Sequence, residues 1–157
     1  WRLAAQAEGD LGNRMRTFLV EAFARNARRV VVVGSDSPTL PLKYVNDAFA
    51  RLATNDVVLG PTPDGGYYLI GAAGDVPPVF DDIAWSTAAV WPETIARLER
   101  AGFSFAVLPE WSDIDTPNDL ERLAAWLERE ATSDEPAWAE LRANVRGVLD
   151  GHDESTR

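Results

Sequence analysis

Helical and strand-like patterns of apolar residues alternate along the chain from about residue 10. Two stretches, 10–26 and 41–52, carry apolar residues at the three- and four-residue spacing of an amphipathic helix. Short apolar runs that end at glycine or proline predict strands at 29–33, 56–61, 67–71 and 103–108. This alternation predicts an α/β fold with a mainly parallel sheet between helices.

One stretch, residues 29–40, combines a strand pattern with an acidic residue at its end. The four consecutive valines 30–33 are typical of a strand buried on both faces, so we predict a central strand here. Gly34 and Asp36 follow directly, and Pro38 prevents the strand from continuing. Ligands of open α/β sheets bind at the carboxyl ends of strands. Asp36 is therefore the first candidate site residue.

A glycine-rich turn follows the strand at 56–61. Asp64 precedes Gly65 and Gly66, which adopt positive φ readily and let a ligand approach the backbone closely. A turn with one acid and two glycines is most often only a turn. A structural and a functional interpretation of Asp64 therefore both stay open.

Two more acids precede a predicted helix start. Thr116 suits the N-cap position, Pro117 suits the first helical position, and Asp119 completes an arrangement that resembles a capping box. This explains Asp119 structurally. Asp113 and Asp115 come before the cap, so their side chains can point into a cleft.

Two other helix starts carry polar candidates. Asp10 is a candidate N-cap, and Arg14 beyond it is either a solvated arginine or a contact for an anion. Ser86 or Thr87 is the predicted cap of a helix over residues 85–101.

Composition excludes several kinds of chemistry. The chain of 157 residues has no cysteine, which removes disulfides, thiolate metal sites and cysteine nucleophiles. Its one histidine, His152, lies in a polar terminal run, so we do not expect histidine catalysis. A formal charge of −10 argues against nucleic acid as a partner. No apolar run approaches the ~20 residues of a membrane span and no signal peptide is visible, so we expect a cytoplasmic protein.

Carboxylates at the ends of predicted strands remain as candidates for chemistry. The chain lacks the glycine-rich dinucleotide motif, the P-loop and the serine-hydrolase motif. Oxygen ligands without histidine or cysteine favour Mg²⁺ or Mn²⁺ over zinc. Two carboxylates ~4 Å apart would repel by roughly 4 kcal/mol at an effective dielectric constant of 20, so a close pair favours a bound cation or proton. A divalent ion held there could bridge the phosphates of a nucleotide.

An ordered set of motifs carries a family resemblance. It comprises Gln6 and the segments 9–15, 34–38, 56–61, 64–71, 85–87 and 113–117. In this order they resemble the bacterial glycosyltransferase-like proteins of the GT-A nucleotide-diphospho-sugar transferase superfamily, a group related to 2-phospholactate guanylyltransferase. The resemblance covers residues 1 to about 127.

The resemblance implies a GT-A Rossmann-like fold, a nucleotide or nucleotide-sugar substrate, and Mg²⁺ or Mn²⁺. By position, Asp36 is similar to the superfamily's metal-binding acid, and Asp115 to the second acid in its Asp-Thr-Pro motif. The implied substrate-binding residues are Asp64, Gly65, Gly66, Arg14, Ser86, Thr87 and Asp113. No catalytic residue is assigned.

The resemblance and the residue pattern that follows it set expectations for domain organisation. We expect a GT-A-like domain over 1–131, a packing helix over 132–150 and a flexible tail over 151–157. Members of the family begin with a strand and a nucleotide-binding loop, so we expect the chain to lack that N-terminal part. The uncovered strand edges would then favour a homodimer or a partner chain.

Three functions are consistent with these residues. The first is metal-dependent transfer from a nucleotide-activated sugar. The second joins a nucleotide to a small phosphorylated acid, with the same metal and phosphate geometry. The third is a non-catalytic GT-A-like domain that binds a ligand or a protein.

Overall fold

The computed structural model describes residues 3–129 and 136–154. The chain divides into two compact units, Trp1–Ser112 and Asp113–Arg157. The elements of the first unit are α1 (Leu11–Ala24), β1 (Arg29–Val33), α2 (Leu42–Arg51), β2 (Val57–Pro61), β3 (Tyr67–Ala73), α3 (Val90–Ala101) and β4 (Phe105–Val107). The second unit contains α4 (Pro117–Arg129) and α5 (Pro136–Glu154).

The first unit contains a four-stranded mixed sheet in the order β1-β3-β2-β4. β3 pairs antiparallel with both β1 and β2, whereas β2 and β4 pair in parallel. It follows that β1, β2 and β4 run in one direction and that β3 alone runs against them. The strand pattern of the sequence predicts the common direction but not the inserted antiparallel strand.

The predicted central position of β1 is wrong for the sheet that the structure describes. β1 pairs on one side only, with β3, and it occupies the edge of that sheet. Val30 is 7% exposed, but Val33 at the other end is 38% exposed. A run of valines favours a strand because of local backbone preference, whereas burial on both faces depends on neighbours that the run does not specify.

Helices cover both faces of the sheet, because successive strand side chains point to opposite sides. On one face, Val57 and Leu59 of β2 pack with Met15 and Leu19 of α1 and with Leu98 of α3. On the other face, Val58 and Leu69 pack with Ala48 and Leu52 of α2. The sheet is therefore a layer between helices, as the alternating pattern predicts.

Helix boundaries follow the predicted caps at some ends and not at others. Asp10 caps α1, because its Oδ1 accepts a hydrogen bond from the backbone N–H of Asn13 at 2.8 Å. Gly102 ends α3 in the left-handed conformation, with φ of 73°. The predicted start of α3 is wrong, because this helix begins at Val90 and Ser86 lies in a preceding turn with φ of 62°. A left-handed residue cannot continue a right-handed helix.

The second unit is a pair of packed helices. Leu123 and Leu127 of α4 and Val145 of α5 are buried between them. α5 continues to Glu154, beyond the predicted end of the helix at residue 150. The first residues of the predicted packing helix, 132–135, and the last residues of the predicted tail, 155–157, lie outside the described residues. Among the helices that are described, none has both the length and the apolar character needed to cross a membrane.

Candidate functional site

Asp36 lies where the sequence predicts it, just beyond the carboxyl end of β1. The backbone N–H of Gly34 donates to the carbonyl oxygen of Tyr68 at 2.9 Å, which extends the pairing with β3 by one residue. A Cβ atom on Gly34 would lie 2.6 Å from Oδ1 of Asp36, so the carboxylate lies directly over this glycine. The Asp36 side chain is exposed. Gly34 therefore allows the carboxylate to fold back over the strand end.

The second candidate, Asp64, is fixed in the turn between β2 and β3. Its Oδ1 accepts a hydrogen bond from the Thr62 hydroxyl at 2.5 Å and another from the Gly66 backbone N–H at 3.1 Å. Thr62 also closes the turn with its backbone, because its N–H donates to Gly66 and its carbonyl oxygen accepts from Gly65. Asp64 is exposed, and one of its two oxygens is held in place by the turn.

Gly65 connects this turn to the segment before α3. Its carbonyl oxygen accepts a hydrogen bond from the Trp91 backbone N–H at 2.8 Å. A Cβ atom on Gly65 would lie 2.8 Å from both Cα and the carbonyl oxygen of Ala88. The φ angle of 91° at this position also favours glycine. Close packing and backbone conformation therefore both require glycine here.

Ser86 and Thr87 lie in the same neighbourhood because they directly precede Ala88. Both side chains are exposed. The Thr87 hydroxyl donates to the carbonyl oxygen of Ala84 at 2.7 Å and accepts from the Ala89 backbone N–H at 3.3 Å. Thr87 therefore stabilises the turn that precedes α3 rather than capping the helix itself. The structure thus brings the predicted segments 64–66 and 86–87 close together.

Arg14 has partners in the segment that leads into α1. Its Nε donates to the carbonyl oxygen of Gly9 at 3.0 Å, and its Nη1 lies 3.4 Å from Oε1 of Gln6. The side chain is exposed. The longer contact with Gln6 is the weaker of the two. The predicted phosphate contact of Arg14 stays a prediction.

The acids of the second unit lie just before α4. Asp113 is half-buried and Asp115 is exposed, and each presents a carboxylate oxygen within 4.8 Å of the other. The backbone N–H of Asp115 donates to Oδ2 of Asp119 at 3.3 Å. Two carboxylates this close suit a hard divalent cation such as Mg²⁺ or Mn²⁺.

Asp119 is a structural residue, as predicted. The same oxygen, Oδ2, accepts from the backbone N–H and the hydroxyl of Thr116 at 2.8 and 2.6 Å. Oδ1 forms an ion pair with Arg122. The Thr116 hydroxyl is the main reason that the pKa of Asp119 is lowered. This network holds the start of α4 and orients the backbone at Asp115.

Thr62 is a further residue at the candidate site, and the sequence patterns do not predict it. Its side chain is 5% exposed, and it makes the shortest contact with Asp64. A threonine two residues before an aspartate in a Pro/Gly-rich turn is the only local signal for this arrangement. The signal is weak, because threonine hydroxyls in turns commonly bond to the backbone instead.

The fold is that of a GT-A-like protein. A crystal structure of the "putative nucleotide-diphospho-sugar transferase" from Desulfovibrio desulfuricans G20 superposes with a TM-score of 0.81 at 38% sequence identity. The match covers 91% of this chain and 64% of that one, so the chain spans somewhat less than two thirds of that protein's length. This similarity confirms the predicted GT-A-like fold.

The chain belongs to the family of uncharacterized proteins conserved in bacteria known as DUF2064, whose model matches residues 1–87. This match covers β1, the Asp36 loop and the turn at 64–66, and it ends at Thr87. None of the curated proteins matches the chain.

Proposed function

We propose that the chain is the nucleotide-sugar-binding part of a metal-dependent transferase. The observation that carries this proposal is the exposed Asp36 carboxylate at the carboxyl end of β1, in a fold similar to that of the Desulfovibrio protein. In open α/β sheets this end of a strand is where ligands bind. The activity, substrate and metal dependence are all parts of the proposal.

Asp36 is a proposed metal ligand of the first unit, and Asp115 is a proposed metal ligand of the second. Asp113 supports the assignment of Asp115, because their close carboxylates suit a divalent cation. When bound, Mg²⁺ or Mn²⁺ would neutralise charge on the diphosphate as the sugar is transferred.

The remaining residues would orient the substrate. The Asp64 carboxylate can accept hydrogen bonds from sugar or ribose hydroxyls, and Gly65 and Gly66 beside it would line the substrate pocket. Arg14 can pair with a phosphate if its weak contact with Gln6 is exchanged for the anion. Ser86 and Thr87 lie close enough to the turn to contribute hydroxyl groups.

Nucleotidyl transfer to a small phosphorylated acid, as in 2-phospholactate guanylyltransferase, uses the same phosphate and metal chemistry. It is distinguished by preference for a nucleoside triphosphate over a nucleotide sugar. A cytoplasmic location and homodimer formation stay predictions. The edge position of β1 in the described sheet supports the latter, and size-exclusion chromatography tests it.

Thermal unfolding with a panel of nucleotides tests the proposed function. Nucleoside diphosphates, triphosphates and diphospho-sugars are added with and without Mn²⁺ to the wild-type protein and to Asp36→Asn. A ligand at 100 times its dissociation constant stabilises by ~2.7 kcal/mol, which raises the midpoint by roughly 5 to 10 °C. We expect a metal-dependent shift that Asp36→Asn removes.

Asp47→Asn is the matched control, because Asp47 is an exposed acid on α2 and is not one of the proposed site residues. It should keep the full ligand shift. A shift with triphosphates alone would replace sugar transfer by nucleotidyl transfer. No shift with any nucleotide would favour the non-catalytic binding domain.

A further inference from the structure

We infer that Thr62 is a positioning residue that orients Asp64 for ligand binding, an inference that rests on the proposed substrate-binding role of Asp64. The Thr62 hydroxyl donates to Oδ1 of Asp64 at 2.5 Å. The Gly66 backbone N–H donates to the same oxygen at 3.1 Å. Both fixed donors therefore hold a single oxygen of the carboxylate.

This arrangement orients the second oxygen of Asp64. A carboxylate that is held at one oxygen by two donors loses rotation about its Cβ–Cγ bond, so Oδ2 keeps one direction. Asp64 is exposed, and Oδ2 therefore has room to accept a hydrogen bond from a ligand hydroxyl or to bind a cation. Binding groups that are held in advance avoid the cost of ordering when the ligand arrives.

Thr62 is itself held firmly enough to act in this way. Its side chain is buried, at 5% exposure, and lies directly after the last residue of β2. Its backbone N–H donates to Gly66 at 3.1 Å and its carbonyl oxygen accepts from Gly65 at 3.2 Å. The hydroxyl therefore projects from a closed turn, and its direction is set by the fold.

Packing of Gly65, the residue after Asp64, holds the turn from the other side. The Gly65 carbonyl oxygen accepts from the Trp91 backbone N–H, and Gly65 lies against Ala88. Asp64 thus lies between a residue fixed by β2 and a residue fixed by the start of α3. In addition to the backbone bonds that close the turn, the buried Thr62 hydroxyl is directed at the Asp64 carboxylate.

The test compares Thr62→Val, Thr62→Ser and Asp64→Asn with the wild-type protein. Binding of UDP-glucose and of GDP-mannose, each with Mn²⁺, is measured by isothermal titration calorimetry. Valine keeps the buried shape of threonine but lacks the donor, and serine keeps the donor. We expect Thr62→Val to weaken binding by roughly tenfold, as the loss of a hydrogen bond to a charged group does. Thr62→Ser should restore it to within about twofold.

A double variant separates positioning from a general effect on folding. In the Asp64→Asn background, Thr62→Val should have little further effect, because the carboxylate that it orients is already lost. If Thr62→Val does not fold, the comparison of Thr62→Ala with Thr62→Ser gives the same information.

The outcomes distinguish this inference from the proposed function. If Asp64→Asn weakens binding and Thr62→Val does not, the inference is overturned and the proposed function stands. If Asp64→Asn has no effect on tight binding, the role of Asp64 and the inference are both overturned. If the wild-type protein binds neither nucleotide sugar, both proposals are overturned.

Discussion

Asp56 and Ser104 form a reciprocal hydrogen-bonded pair at the start of the parallel strands β2 and β4. Oδ2 of Asp56 accepts from the backbone N–H of Ser104 at 2.8 Å and from its hydroxyl at 2.6 Å. The backbone N–H of Asp56 in turn lies 3.0 Å from the Ser104 hydroxyl oxygen. The pair fixes the register of two strands whose carboxyl ends lead towards the candidate site.

The first prediction concerns the pH dependence of stability. The Ser104 hydroxyl, and then its backbone N–H, lower the pKa of Asp56. Because the pKa of Asp56 is lower in the folded protein than its value near 3.8 in the unfolded chain, the ionised carboxylate stabilises the fold at pH values above 3.8. This stabilisation is lost as the pH falls through the folded-state pKa. Asp56→Asn should therefore be less stable than wild type at pH 6, with a gap that narrows towards pH 2. Urea unfolding of both proteins between pH 2 and 7 measures this difference in the free energy of unfolding.

Asp47→Asn is the control for this experiment. Asp47 is exposed on α2 and has no partner among the hydrogen bonds and ion pairs of the described residues. Its replacement should leave the shape of the pH profile unchanged. If the difference in stability between wild type and Asp56→Asn stayed constant across the acid range, the proposed role of the Asp56 carboxylate would be contradicted.

The second prediction separates backbone strain from steric conflict in the turn at 64–66. Gly65 and Gly74 both have positive φ, but a Cβ on Gly74 would meet no atom within 4 Å. Gly74→Ala should therefore cost about 1 kcal/mol of stability from backbone strain alone. Gly65→Ala should cost roughly 1 to 3 kcal/mol more, because the new methyl group conflicts with the Ala88 backbone. Chemical denaturation of both variants checks the difference, and equal losses would argue against tight packing at Gly65.

The third prediction compares two neighbouring tyrosines on β3. The Tyr68 hydroxyl donates to the carbonyl oxygen of Pro109 at 3.0 Å, and burial raises the pKa of Tyr68 to about 12. The buried Tyr67 hydroxyl has no partner of good hydrogen-bond geometry in the described structure, and burial raises its pKa although the Thr94 hydroxyl opposes this. Tyr68→Phe should cost about 0.5 to 1.5 kcal/mol, and Tyr67→Phe should cost less or stabilise. Thermal unfolding of the two variants measures the difference in stability. A larger loss of stability in Tyr67→Phe than in Tyr68→Phe would contradict the prediction.

The fourth prediction separates structure from binding at the start of α4. Asp119→Asn should lower the unfolding midpoint of the protein, because it weakens the bonds from Thr116 and Arg122. Asp115→Asn should reduce the stabilisation that Mn²⁺ and a nucleotide provide. Differential scanning calorimetry with and without the two additives distinguishes the effects. Loss of the ligand effect in Asp119→Asn alone would instead place the binding group at Asp119.

Much of the local structure follows from the sequence. Asp10 and Thr116 mark helix starts, and Gly102 marks a helix end, because capping depends on residues within one turn of the boundary. The valine run 30–33 forms a strand because the backbone preference of β-branched residues is also local. Asp36 lies at the end of that strand simply because it follows it in the chain.

Other features were decided only by tertiary structure. β1 lies at the edge of the described sheet and β3 runs antiparallel beside it, which depends on pairing between segments that are distant in sequence. The helix predicted to begin near Ser86 begins at Val90, where the preceding turn packs against Gly65. The hydrogen bond from Thr62 to Asp64 required the closed turn that both strands impose. The sequence by itself therefore determined the elements and the acids at their ends, since these depend on short-range preferences. The orientation of those acids depends on long-range packing, and only the folded chain settles it.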